Sequence, residues 1–171
     1  ISLEKCEKKM EEAWRFFFNK ENNLLQKNIL KSNDLFVQPL DIADSNIPNG
    51  NSIYLLISNK LNNIVPDSKW KKRIDILSRS FHSHINSNFS QMFSYIKILD
   101  ICEDNITVTI NSKNTDLIEK IREQVIKKFM DKASIIYKED SSEDYFIVCK
   151  KQTCSPKLKN LEELENYFKN L

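Results

Sequence analysis

The sequence predicts an α+β fold: helices first, then a small sheet covered by helices in the order ββαβ(β), then a closing helix. Three observations predict it. Apolar residues recur at helical spacing from Cys6 to Ile85. The spacing shifts to a period of two at Ile106, Val108 and Ile110. It then returns to helical spacing at Leu117, Ile121 and Val125. A chain of 171 residues suits one compact domain, or a small domain with a helical extension, and can bury a real core.

Residues 2–30 are expected to be helical, with Cys6, Met10, Trp14, Phe17 and Phe18 on one apolar face. Residues 31–52 break that pattern, because Pro39, Pro48 and Gly50 sit among several Asn and Asp. Asn51 or Ser52 is placed to cap the next helix, whose stripe is Ile53, Leu56, Ile57, Leu61 and Ile64. That helix ends at Val65, since a residue before proline is pushed out of helical geometry. Asp67 or Ser68 caps a third helix carrying Trp70, Ile74, Leu77, Phe81 and Ile85, with a break at 86–88. A short turn through Phe89, Met92 and Phe93 follows.

The run from Ile96 to Cys102 is rich in β-branched residues and reads as a strand. Glu103, Asp104 and Asn105 suit a hairpin turn into the alternating strand at 106–110. Asn111 to Thr115 is a polar break, and Leu117, Ile118, Ile121, Val125 and Phe129 make an amphipathic helix. Residues 134–138 and 145–149 read as two more strands around an acidic turn. After Pro156, a last helix carries Leu158, Leu161, Leu164, Phe168 and Leu171. The expected organisation is a helical region at 1–66, an α+β domain at 67–154 and a C-terminal helix at 155–171.

Composition limits the function. There are 22 Lys against 4 Arg, with 19 Asn and 21 Ile, the residues of A/T-rich codons. Base composition therefore accounts for much of the Lys and Asn content, and their runs carry little functional weight. A net charge of +2 is too balanced to mark a nucleic-acid binder by charge alone. No apolar run approaches the roughly 18–20 residues of a membrane span, and no apolar h-region follows the start. A cytoplasmic protein with free thiols at Cys6, Cys102, Cys149 and Cys154 is expected, with no membrane association. A start at Ile1 rather than Met leads us to expect a fragment of a longer protein.

Chemical motifs are sparse. The only glycine, Gly50, lies in a loop, which excludes glycine-rich phosphate and dinucleotide loops. His82 and His84 are two apart on a predicted helix and so point about 200° apart. Cys149 and Cys154 form one pair, where structural zinc needs four ligands. Glu103, Asp104, Asp140, Glu143 and Asp144 fall mainly in predicted turns, where carboxylates are simply solvated. No catalytic residue, metal, cofactor or small-molecule substrate is expected. Lys69, Lys71, Lys72 and Arg73 surround Trp70, a pattern able to contact phosphates and stack on a base of DNA or RNA. The competing reading buries Trp70 and leaves the cations as its solvated flank.

The stretch from Met92 to Leu99, with Tyr95-Ile96 and Leu99, resembles the N-terminal domain of the bacterial replication initiator DnaA, a KH-like fold. The likeness spans roughly residues 70–149 and includes Asp104 to Val108, Leu117 to Val125 and Tyr145 to Val148. Met92, Tyr95 and Ile98 stand where that family has Phe, Trp and Pro. Similar layouts occur in the tau subunit of the replicative polymerase and in DciA-type helicase loaders. The resemblance implies a KH-like sheet within 67–154. It also implies a non-enzymatic module binding a protein in replication initiation or helicase loading, such as the replicative helicase, or a second copy of itself. Trp70, Phe81, Met92, Tyr95 and Leu99 are the expected partner-binding positions. A helical protein of structural or host-interaction role is the other alternative.

Overall fold

The computed structural model describes residues 2–28, 42–139, 143–151 and 153–171. Part of the predicted loop (31–41, with Pro39) and Asp140 of the predicted acidic turn lie outside these residues. The fold is α+β, and the chain divides into two compact units, Ile1–Asp100 and Ile101–Leu171. The expected boundaries after residues 66 and 154 are not where the contacts divide. No described helix is long and apolar enough to cross a membrane.

In the first unit, α1 (Leu3–Phe17) is capped by the Ser2 hydroxyl, which accepts from the Lys5 amide. The helix expected over 2–30 stops at Phe17, and β1 (Phe18–Asn19) pairs antiparallel with β2 (Leu24–Leu25). Asparagine side chains explain the change. Asn19 Oδ1 accepts from the Glu21 amide at 2.8 Å, and Asn22 Oδ1 from the Leu24 amide at 3.1 Å. These local bonds compete with the helix, and Asn23 adopts the left-handed φ of 59° that asparagine tolerates.

α2 (Gly50–Ile64) is capped by Asn49 rather than by Asn51 or Ser52; its Oδ1 accepts from the amides of those two residues. Its buried face is Tyr54, Leu55, Ser58 and Leu61, while Ile53 is exposed. The helix has therefore turned from the stripe that hydrophobicity alone picks out. α3 (Ser68–Asn88) is capped by Asp67 and buries Trp70, Leu77 and Phe81. A short 3-10 turn, Phe89–Gln91, leads to α4 (Phe93–Glu103).

α4 replaces the expected strand at 96–102, so there is no hairpin at 103–105. Met92, Tyr95, Ile98 and Ile101 are all buried. Their spacing of three is one face of a helix, and burying that face outweighs the β preference of the isoleucines.

In the second unit, β3 (Ile106–Asn111) leads through α5 (Thr115–Phe129) to β4 (Ala133–Lys138). β3 and β4 are parallel, and α5 supplies the crossover that parallel neighbours require. β5 (Tyr145–Lys150) pairs antiparallel with β3 on the other side, and β6 (Thr153–Cys154) pairs with β5. The order is β4-β3-β5-β6, so the two strands expected around the acidic turn are separated by β3. One sheet face presents Ile106, Val108, Ile110, Phe146 and Val148. These pack with Ile121 and Val125 of α5 and with Leu164 and Phe168 of α6 (Leu161–Lys169). Leu158 precedes α6 and bridges to Phe146.

Candidate functional site

The basic group around Trp70 is a structural hub. Trp70 has no exposed surface. Arg73, three residues on, is held among α1, α2 and α3. Its Nη2 donates to Glu11 Oε2 at 2.6 Å and its Nη1 to the Tyr54 hydroxyl at 3.0 Å. That hydroxyl donates onward to the Met10 carbonyl at 3.2 Å. The guanidinium also lies 4.8 Å from the Trp14 ring centre and 5.2 Å from that of Trp70. Lys69 pairs with Glu11 at 3.2 Å and with Asp67 at 3.5 Å. Burial alone would raise the Glu11 carboxyl, but the bonds from Arg73 and Lys69 outweigh it and hold the group below its ordinary value. Burial pushes the Tyr54 phenol up to about 12, so it stays protonated and able to donate. Lys71 and Lys72 are exposed. Of the four expected phosphate contacts, two are engaged inside the unit.

The expected partner anchors are also internal. Phe81 and Tyr95 stack at 4.5 Å with an interplanar angle of 15°, both essentially inaccessible, and the Tyr95 hydroxyl donates to the Ser78 carbonyl. Met92 is fully buried and Leu99 is half-buried. Trp70, Phe81, Met92 and Tyr95 therefore form core in this conformation rather than an exposed anchor set. Nearby, Asp44 fixes the start of α4. Its carboxylate accepts from the Ser94 amide at 2.7 Å, the Ser94 hydroxyl and the Asn49 amide at 2.9 Å.

His82 is exposed and His84 half-buried on α3. No three His, Cys, Asp or Glu side chains gather as metal ligands among the described residues. Cys149 and Cys154 are joined in a disulfide across directly paired positions of β5 and β6, which corrects the expectation of free thiols there. A five-residue separation closed by a two-stranded turn brings the thiols together, a proximity that spacing alone does not reveal. Cys6 and Cys102 take no part in that disulfide.

The accessible apolar side chains of the second unit lie along one edge. Gln124 reaches Glu165 of α6 at 2.7 Å, and Lys128 donates to the Phe168 carbonyl, which places α6 on that flank of α5. Ile126 is two residues from each and so points to the opposite flank. It is 49% exposed, and Met130, in the turn leading into β4, is 74% exposed. Tyr137, on β4, is 50% exposed. β4 is an edge strand of the sheet among the described residues, so one side of its backbone has no strand partner there. The sequence left Ile126 off the apolar face of its helix without marking it as accessible, because only the placement of α6 decides which flank is covered.

No protein-family model and no curated protein matches this chain.

Proposed function

We propose that the chain is a non-enzymatic protein-binding module that recognises an extended segment of another protein at the α5–β4 edge. The observation that carries this reading is the exposure of Ile126, Met130 and Tyr137 beside a strand that is a sheet edge among the described residues. An added strand satisfies the outer amides and carbonyls of β4, and its alternate side chains meet the apolar flank. The partner segment therefore alternates apolar and polar residues. The reading does not depend on the replication resemblance, whose Met92–Leu99 motif lies in a turn and a helix here. A purified replicative helicase is a defined partner for testing that narrower version.

The disulfide supports a working place in an oxidising compartment, where such bonds persist. This differs from the cytoplasmic expectation and is open to direct measurement. Alkylation of the native protein without reductant, followed by mass spectrometry, should label Cys6 and Cys102 and spare Cys149 and Cys154.

The binding reading is tested by selecting displayed peptides against the folded chain and following hydrogen exchange. Selected peptides should protect the outward-facing alternate amides of Ser134–Lys138, and Ile126→Lys with Tyr137→Lys should weaken them at least tenfold. Protection elsewhere, or equal binding to the double variant, defeats the reading.

A further inference from the structure

The outer edge of β5 is covered by the chain that follows it. The Ser155 amide donates to the Val148 carbonyl at 2.8 Å, and the Val148 amide donates to Ser155 Oγ at 3.0 Å. Phe146 and Leu158 exchange both backbone bonds, at 2.8 and 2.9 Å. Ile147 and Cys149, which alternate with these residues, face β3 instead. The segment from Thr153 to Leu158 is therefore a strap along the edge of β5.

The two ends of the strap are held differently. Leu158 is 7% exposed and belongs to the apolar core, so the far end is anchored by burial. The near end is β6, only two residues long, and the turn before it runs through Lys151 at a φ of 56°. That left-handed geometry is unfavourable for a residue with a Cβ. The Cys149–Cys154 disulfide fastens this end, and Pro156 stands between the two ends as an exposed pivot. Cys154 is exposed while Cys149 is half-buried, so the bond is open to attack from one side. Lys151, exposed in the turn between them, adds a cation that favours an incoming thiolate.

We propose that the Cys149–Cys154 disulfide is a redox site for small thiols, entered at Cys154, whose reduction frees Thr153–Pro156 and uncovers the edge of β5 at Val148. A thiolate attacks the Cys154 sulfur and forms a mixed disulfide. The Cys149–Cys154 bond breaks, and its electron pair leaves on the Cys149 sulfur, which takes up a proton. A second thiolate attacks the reagent sulfur of the mixed disulfide, releases the Cys154 thiolate and departs as the oxidised reagent. Two thiols thus supply the two electrons that the disulfide accepts. An oxidising compartment keeps the strap fastened, and a thiol-rich one opens it. β5 and β4 lie on opposite sides of β3, so this site stands or falls separately from the β4 edge.

The test treats the whole native chain with reduced glutathione and quenches the reaction in acid. Mass spectrometry should find the mixed disulfide at Cys154 at least tenfold more often than at Cys149. Hydrogen exchange on the fully reduced chain should then be at least tenfold faster at the amides of Val148 and Ser155. The amides of Phe146, Ile147 and Cys149 should be unchanged, because Leu158 and β3 still hold them. Cys154→Ser should show the fast Val148 amide with or without glutathione. A disulfide that resists glutathione until the chain unfolds overturns the redox site. Adducts mainly at Cys149 overturn the point of entry. Val148 exchange unchanged on reduction, or raised equally along all of β5, overturns the strap and leaves the disulfide a simple staple.

Discussion

Arg73 links three helices through one planar group. Its fork reaches Glu11 and Tyr54 while its face meets two indole rings, and its side chain is 12% exposed. Lysine cannot reproduce that geometry. Arg73→Lys and Arg73→Met should each lower stability by about 1–3 kcal/mol, the worth of charge-assisted bonds whose carboxylate partner stays near solvent. Chemical denaturation followed by tryptophan emission measures the loss. A variant of native stability would mean that the hub is ornamental. Asp44 gives a pH-dependent counterpart. Burial alone would raise its carboxyl, but the Ser94 hydroxyl and the amides of Ser94 and Asn49 hold it below the ordinary 3.8. A depressed folded value means that its contribution is complete above 3.8 and fades as pH falls through the lower folded value. Asp44→Asn should therefore melt below the native chain at neutral pH, and the gap should narrow in acid. A gap that is constant with pH would remove the charge from this account.

At the scale of elements, the β5–β6 turn and the α5–β4 edge make separate predictions. Closing the short loop from Cys149 to Cys154 restricts the unfolded chain, worth roughly 2 kcal/mol for so few residues. Cys154→Ser should lose about that much, and dithiothreitol should have the same effect on the native chain but none on the variant. The turn also leads towards α6: Ser155 Oγ accepts from the Val148 amide at 3.0 Å, and Leu158 bridges to Phe146. Loosening it should therefore be felt in the packing of Leu164 and Phe168. By contrast, Ile126→Lys replaces an exposed side chain and should change stability by no more than about 0.5 kcal/mol. A large destabilisation would show that Ile126 is packed, and would take the apolar flank away from the binding surface.

For the whole molecule, two compact units predict two separable responses. Trp14 and Trp70 both lie in the first unit, and the disulfide lies in the second. Tryptophan emission thus reports one unit, while far-ultraviolet dichroism reports both. Reduction should move the dichroism transition to lower denaturant and leave the emission transition in place. A single coincident transition that shifts as a whole on reduction would show that the units unfold as one.

The α+β class, α3 with its Asp67 cap, the alternation of β3, and the core face of α5 were all legible in the sequence. Each depends on local chemistry: a short polar side chain at a helix start, or a period that matches one secondary structure. The 96–102 segment was not legible, because its isoleucines suit a strand and its three-residue spacing suits a helix. Only burial of Tyr95, Ile98 and Ile101 decides between them. The same holds for the functional surfaces. Trp70 with its cations could stand on a surface or in a core, and the structure buries Trp70 while Arg73 bonds Glu11 and Tyr54 beside it. Ile126 is an ordinary residue in the sequence. It becomes notable through a helix that covers the opposite flank. Those are relations between distant segments, which no local pattern encodes.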